Sequence, residues 1–382
     1  MTAKRKLLVV AGEDVAMRLA TFTHLRSVGF NVAIAAPGMH QSLTKAGFPV
    51  FHYDLVRNVQ PFADLRAIHQ LRKIVGEWMP EIIHAYDTKP CYLAPLAMRW
   101  LNGPKVIRTI NGMGKIYTLG SPKNYILRVI YKFLHLLTRK RIDYTIFQNS
   151  TDQNYFVDND LASRHKTSLI PGSGIDINYL KRFKSKPERD ALRSELKLYR
   201  KTTFIMIARI TKEKGVLDFL EAARQVRKRH RDTAFLLVGP AAGDEPDGID
   251  TAYINAYAKD VTYLGRRDDI PQLLNASDIF VLPTRYREGV PRAMLEAMAM
   301  ALPIIVSDVP GCQEAVQGRG TGILISATGS KAMIKAIEQA LNSDLPAMGD
   351  AGQSDIKNIY ALPLVMEALT DIYGKLYDPQ RL

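Results

Sequence analysis

The stretch "TRYREGVPRAMLEAMAMALPIIVSDVPG", residues 284–311, sets Glu288 and Glu296 eight positions apart, around a Gly-Val-Pro turn and ahead of an apolar run. Proline suits the first turn of a helix, where its missing N–H has no intrahelical partner to lose. The pattern therefore predicts a helix from Val290 or Pro291 through the Ala and Met residues. Glu288 and Gly289 fall in the loop before it, and Glu296 lies more than one turn inside. At helical rise the carboxylates are about 12 Å apart, and closer if the loop folds back. Hydrolytic pairs stand about 5–5.5 Å apart in retaining glycosidases and about 6.5–9.5 Å in inverting ones, which disfavours hydrolysis. Backbone N–H groups between Gly289 and Arg292 face the space outside a strand end, a place suited to phosphate. One carboxylate near a phosphate-borne sugar and the other near ribose hydroxyls would span a sugar nucleotide. A dipole-favoured glutamate and a solvated one account for the stretch equally well.

Outward from this stretch the chain alternates strand and helix. "KRKLLVVAGEDVAMRLATFTHLRSVGFNVAIAAP" reads as a βαβ unit, followed by strands at "EIIHAY", "KVIRTI" and "YTIFQNS". After the charged stretch "KRFKSKPERDALRSELKLYRK", residues 181–201, a second series runs through "TTFIMIARI", "AFLLVG", "VTYLG", "DIFVLP" and "LPIIVSD". Such alternation predicts an α/β protein of two doubly wound, Rossmann-like domains, 1–180 and 181–361, facing a central cleft. A final helical stretch, 362–382, is expected to pack back on the first domain.

The 382 residues, 47% apolar and 24% charged, describe a globular chain too long for one core. Cys91 and Cys312 are the only cysteines, and no leader pattern or membrane-spanning run is evident, so the expected location is the cytoplasm. The net charge of +14 is uneven: residues 1–180 hold 23 Lys+Arg against 12 Asp+Glu, the rest 29 against 26. Between Asp87 and Asp143 there are eleven Lys or Arg and no acid. This field suits nucleic acid, anionic lipid or a diphosphate. No zinc spacing, RNP-like aromatic motif or basic repeat accompanies it, which weighs against nucleic acid.

In "IMIARITKEKG", Arg209 and Lys214 follow a strand, and Gly215 opens a helix. Together with "REGVPRAMLE" and "IPGSGID", this resembles the retaining glycosyltransferases of family 4, with their two-Rossmann GT-B fold. The resemblance implies that Arg209 and Lys214 bind the donor diphosphate. It also implies that Glu288 lies beside the donor sugar, with Gly289, Val290 and Pro291 in the donor loop, and that Glu296 binds ribose. "YLGRRDDIPQLLNASDIFVLPT" looks like the family's nucleobase-side segment, with Arg267 near the base. "LLVGP", "TINGMGKIY" and the opening stretch are similar to bacterial enzymes that extend polyprenyl-diphosphate-linked sugars, the N-acetylgalactosaminyltransferases among them. "HAYDTKPCYLAPLA" resembles that group's H-x-x-x-x-K-P acceptor motif, which makes His84 and Lys89 acceptor-side candidates. Two departures stand out. The first loop is "AGEDVAMR" rather than a Gly-Gly phosphate loop, which bears on Gly12 as a donor contact. Asn111, in "NGMG", stands where many relatives carry a histidine, and the polyprenyl subgroup shows the same kind of Gly-rich replacement.

The resemblance implies a retaining transfer from a nucleotide-sugar, UDP-linked by analogy, to a lipid-linked sugar. No protein nucleophile is needed, and no Asp-x-Asp pair implies a metal or other cofactor. In "KNYILRVIYKFLHLLTRKR", residues 123–141, Ile126, Leu127, Ile130, Phe133, Leu134 and Leu137 share one helical face, and Arg128, Lys132, His135 and Arg139 another. Arg128 and Lys132 are thus acceptor-side candidates. The helix either lies on the anionic inner membrane surface or packs its apolar face on the sheet with its bases in water. The competing readings are a transferase with a soluble acceptor and a catalytically silent membrane-associated scaffold.

Overall fold

Runs of aliphatic residues become parallel strands here because helices cover both faces of each sheet, leaving the strands no wet side. The computed structural model, which describes residues 5–56, 60–101, 103–118, 122–181, 185–243, 247–326 and 328–377, divides into two units. One comprises residues 1–173 with 362–382, the other residues 174–361.

In the first unit the strands are β1 (Arg5–Val10), β2 (Phe30–Ala36), β3 (Val50–His52), β4 (Ile82–Tyr86), β5 (Lys105–Ile110), β6 (Tyr144–Phe147) and β7 (Thr167–Leu169). They pair in the order β3-β2-β1-β4-β5-β6-β7. The second unit holds β8 (Thr202–Ile207), β9 (Thr233–Val238), β10 (Thr262–Tyr263), β11 (Ile279–Leu282), β12 (Ile304–Ser307) and β13 (Gly322–Ile325), ordered β10-β9-β8-β11-β12-β13. Chain order therefore reverses between β1 and β4 in one sheet and between β8 and β11 in the other. At such switch points the loops diverge and leave a crevice outside the strand ends. The short edge strands β3, β7 and β13 escape the sequence reading because they are only three, three and four residues long.

The helix Leu362–Tyr377 buries Val365, Met366, Leu369, Ile372, Tyr373 and Leu376 with Phe22, Leu25 and Ile34, on one face of the first sheet. The last five residues of the predicted segment, 378–382, lie outside the described residues, as do 182–184 of the charged stretch. The remainder of that stretch is no free linker. Its helix Lys186–Glu195 docks through Arg189 and Arg193, which reach Asp278 at 2.7 and 3.1 Å.

The helix Pro122–Thr138 corrects the predicted division of faces. Its buried stripe contains Tyr131, His135 and Thr138, whereas Tyr125, Ile126, Val129 and Phe133 are 67, 60, 54 and 59% exposed. The shift is partial, since Leu134 still packs on the core and Arg139 stays exposed, and polar partners inside the unit draw His135 in. Arg108, itself fully buried, donates to His135 Nδ1 at 2.5 Å, to the Thr145 hydroxyl at 3.1 Å and to the Leu161 carbonyl at 2.7 Å. Burial pushes the Arg108 pKa down to about 10. Arg128 donates to the Ile116 carbonyl at 2.7 Å and Lys132 to the Asn159 amide oxygen at 2.8 Å. Both bases are thereby held against their own unit instead of lining a basic outer face. Arg139 and Lys140 remain exposed.

Candidate active site

The loops leaving β8 and β11, on either side of the second sheet's switch point, carry most of the donor-side residues singled out from the sequence. Gly215 starts the helix Val216–Arg229 at φ +78°. A Cβ there would stand 2.0 Å from the Pro283 carbonyl oxygen, so only glycine lets the two loops approach. Gly311, after β12, is as tightly fitted: its Cβ would fall 1.5 Å from the carbonyl oxygen of Gly289. The loop of residues 288–291 is thus pinned from behind by backbone.

Within this frame the Lys214 ammonium pairs with the Glu288 carboxylate, both side chains mostly buried. The Thr284 hydroxyl donates to Glu288 Oε1 at 3.1 Å and accepts from the Tyr286 N–H at 3.0 Å. Lys214 Nζ also lies 5.1 Å from the Tyr286 ring centroid, within cation–π range. Arg285 fastens the loop to the neighbouring helix through Asp218 at 2.7 Å. Thr284, Tyr286 and Arg285 were not singled out from the sequence; Thr284 and Arg285 directly after "FVLP" were the available signal. Beneath the loop, burial first and then the Glu288 charge push the Cys312 thiol pKa well up, leaving it inert.

The helix following the loop is Arg292–Ala299. Val290 and Pro291 precede it, correcting the predicted start: Pro291 takes the extended cap conformation, ψ 122°, and its carbonyl accepts from the Leu295 N–H. Glu296 lies in the second turn and accepts from Arg292 Nε at 2.8 Å. Arg209 leaves the end of β8 half-buried. Arg267 makes a two-pronged contact to Asp269, at 2.7 and 2.5 Å, which holds the Asp269 carboxyl below its ordinary pKa. The structure therefore joins Lys214 to Glu288 and Arg292 to Glu296, while Arg267 is committed to a neighbouring acid.

At the first sheet's switch point, Gly12 and Asn111 meet at Asp87, a residue the sequence reading passed over. Asp87 adopts φ +71°, a conformation Asp tolerates, and accepts from the Gly12 N–H at 2.9 Å and from Asn111 Nδ2 at 3.0 Å. Asn111 Oδ1 is buried without a partner among the described residues. Gly12 therefore gives its N–H to Asp87, which departs from an open phosphate loop.

The structure moves two acceptor-side candidates inside. His84 is fully buried, with Nδ1 2.6 Å from the Tyr373 hydroxyl, Nε2 2.7 Å from the Thr109 hydroxyl, and its ring stacked 4.1 Å from Tyr86. Burial, then the charge of Arg18, hold its pKa well below the usual histidine value. It is an interior link between the C-terminal helix and β5. Lys89 is buried against Asp64 and donates to the Val56 carbonyl at 2.8 Å, tying the helix Pro61–Trp78 in place.

Two doubly wound parallel sheets, with a cation–carboxylate pair at one switch point, define a GT-B glycosyltransferase architecture. The family "Glycosyl transferases group 1" matches residues 201–343 and "Glycosyl transferase 4-like" matches residues 6–149, and the chain belongs to these glycosyltransferases. It is 29% identical over 343 residues, 88% of each chain, to the N,N'-diacetylbacillosaminyl-diphospho-undecaprenol alpha-1,3-N-acetylgalactosaminyltransferase of Campylobacter jejuni subsp. jejuni serotype O:2. It is 27% identical to the UDP-Gal:alpha-D-GlcNAc-diphosphoundecaprenol alpha-1,3-galactosyltransferase of Escherichia coli, over 84% of this chain and 81% of that one. Among solved structures, Anabaena Alr3699/HepE in complex with UDP shares the fold, with a TM-score of 0.78 at 17% identity over 97% of this chain and 100% of that one.

Proposed function

We propose that the protein is a retaining glycosyltransferase that moves a hexose or N-acetylhexosamine from a UDP-sugar to a polyprenyl-diphosphate-linked saccharide. It would work at the inner face of the cytoplasmic membrane, in the assembly of a bacterial surface glycan. The observation that carries this reading is the Lys214–Glu288 pair at the carboxyl edge of the second sheet, with its loop locked by Gly215 and Gly311. An ammonium has three N–H donors, so Lys214 can keep Glu288 and still donate to a diphosphate oxygen.

In this reaction the bond from the sugar C1 to the diphosphate oxygen breaks and C1 becomes oxocarbenium-like. The electron pair stays on the departing nucleoside diphosphate. Lys214, Arg209 and the backbone N–H groups ahead of the helix at Arg292 stabilise that charge, the preorganised effect that is usually the largest part of catalysis. The acceptor hydroxyl then bonds C1 on the face the diphosphate leaves, and its proton passes to the leaving phosphate oxygen. Glu288 fixes Lys214 and lies beside the sugar, Glu296 serves the ribose, and Arg267 serves the base side. The transfer uses no metal or other cofactor.

The acceptor assignment draws on the named activities of the two bacterial relatives. Membrane contact is supported by the apolar face of Pro122–Thr138, where Tyr125, Ile126, Val129 and Phe133 stand in water next to the exposed bases Arg139 and Lys140. Large apolar side chains flanked by bases suit an anionic bilayer surface. Among the described residues no helix is long and apolar enough to cross a membrane.

The test is turnover of membrane-extracted polyprenyl-diphosphate sugar with a panel of UDP- and GDP-sugars in EDTA, following nucleotide release and lipid-product mass. Nucleotide release with a matching mass gain, reduced about 100-fold or more in Glu288→Gln, is the expected result. Turnover of a soluble acceptor alone would move the reading to the soluble-acceptor enzyme. Donor binding with no product on any acceptor would replace it with the scaffold.

A further inference from the structure

Thr284 lies where the loops leaving β8 and β11 meet, and the mechanism above gives it no part. Its side chain is almost wholly buried. The Arg285 N–H donates to the Glu213 carbonyl at 2.7 Å, so backbone ties the loop of Thr284 to the loop that carries Lys214. At this seam the Thr284 hydroxyl accepts from the Tyr286 N–H at 3.0 Å and donates to Glu288 Oε1 at 3.1 Å. A hydroxyl has one proton to give, and the Glu213 carbonyl, the alternative acceptor, stands farther off at 3.5 Å. The proton therefore belongs to the carboxylate. Glu288 Oε1 is also the oxygen that the Lys214 ammonium meets. One carboxylate oxygen thus takes two donors, a hydroxyl fixed by the backbone and an ammonium on a flexible four-carbon stem.

An anion arriving beside Lys214 competes with Glu288 for the same ammonium. In a mostly buried place, a carboxylate that gives up part of its cation is costly unless another donor stays with it. We propose that Thr284 is a positioning residue of the donor site: its hydroxyl keeps Glu288 satisfied and in place while Lys214 turns towards the diphosphate. This role rests on the donor-diphosphate reading of the site. Thr284 is assigned no contact with sugar or phosphate and acts through Glu288. Without the hydroxyl, the carboxylate holds the ammonium more tightly and the diphosphate receives less of it. A threonine that serves only to close the turn at Tyr286 would have no such effect.

Calorimetric titration of the whole protein with UDP and with GDP measures this without turnover. Thr284→Val should weaken nucleotide binding by about 10-fold, the worth of one hydrogen bond to a charged group, and Thr284→Ser should restore most of the loss. In Glu288→Ala the ammonium has no carboxylate to be released from, so adding Thr284→Val should leave the affinity within about 2-fold. Thermal melts of each variant report whether the fold is kept. In turnover, Thr284→Val should lower kcat/KM for the donor by a similar factor and leave KM for the acceptor as in wild type. Equal nucleotide affinity in wild type and Thr284→Val overturns the role. A loss that persists in the Glu288→Ala background assigns the hydroxyl to the Tyr286 turn and overturns it as well, as does a Thr284→Ser variant as weak as Thr284→Val. Wild type that follows the expected binding pattern and turns over no acceptor sinks the transferase reading and leaves the role of Thr284 standing. Wild type that binds neither nucleotide removes the donor site and the role together.

Discussion

Lowering the pH tests where His84 sits. His84 and His135 are both fully buried, and burial, reinforced by Arg18 for the first and Arg108 for the second, holds both pKa values well below the usual one. The folded protein keeps them neutral, whereas the unfolded chain takes up protons with a pKa of about 6.5. Below that value the unfolded state binds more protons, so stability is complete above about pH 6.5 and falls as the pH drops. Between about pH 7.5 and pH 5.5 each histidine removes about 1.4 kcal/mol, about 2.7 kcal/mol for the two. Asp54, held low chiefly by its Gln70 hydrogen bond, and Asp269 titrate beneath this window and leave the slope unaffected. Both tryptophans, Trp78 and Trp100, belong to the first unit, so their emission during urea unfolding reports that unit alone. His84→Gln cannot titrate, and its loss of stability over the same window should shrink by about 1.4 kcal/mol, half of the total. A pH dependence identical to wild type would refute the burial argument and return His84 to the acceptor surface.

Three further variants probe the loop that holds Glu288 and the apolar helix face. Gly311→Ala would put a methyl 1.5 Å from the Gly289 carbonyl oxygen and displace the loop that holds Glu288, so kcat/KM should fall about 100-fold. Gly265→Ala, at φ +66° with nothing within 4 Å, should cost only about 1 kcal/mol of stability and no activity; equal kinetics for the two variants would refute the close-packing argument. Replacing Ile126 and Phe133 together by serine should weaken co-sedimentation with anionic vesicles by about 100-fold, at about 1.5 kcal/mol for each side chain. The melting temperature should not change, because both residues are already exposed; undiminished vesicle binding would exclude this face as the membrane contact.

The alternation of strands and helices was legible in the sequence because strands buried on both faces read as unbroken apolar runs. The pairings that build the site were not. Lys214 meets Glu288 across 74 residues, Gly12 meets Asp87 across 75, and His84 meets Tyr373 across 289. No local pattern encodes such distances. Asp87 shows the consequence: in "HAYDTKP" the histidine and lysine attract attention, yet folding buries both and leaves the aspartate at the strand end. Amphipathicity also left a sign undetermined. The segment 123–141 has two distinct faces, but which residues turn inward depends on partners far along the chain, such as the buried Arg108 that meets His135.

Asp87 and Glu288 stand at equivalent places, each a carboxylate at its sheet's switch point, and their partners differ. Asp87 occupies the single N–H of Gly12, so the loop after β1 is closed by the protein's own anion. An incoming diphosphate there would meet a carboxylate and find no spare donor. Glu288 instead engages an ammonium, which retains further N–H groups for a second anion. The second sheet can therefore hold a diphosphate without dismantling its resting pair, and the first cannot at Gly12.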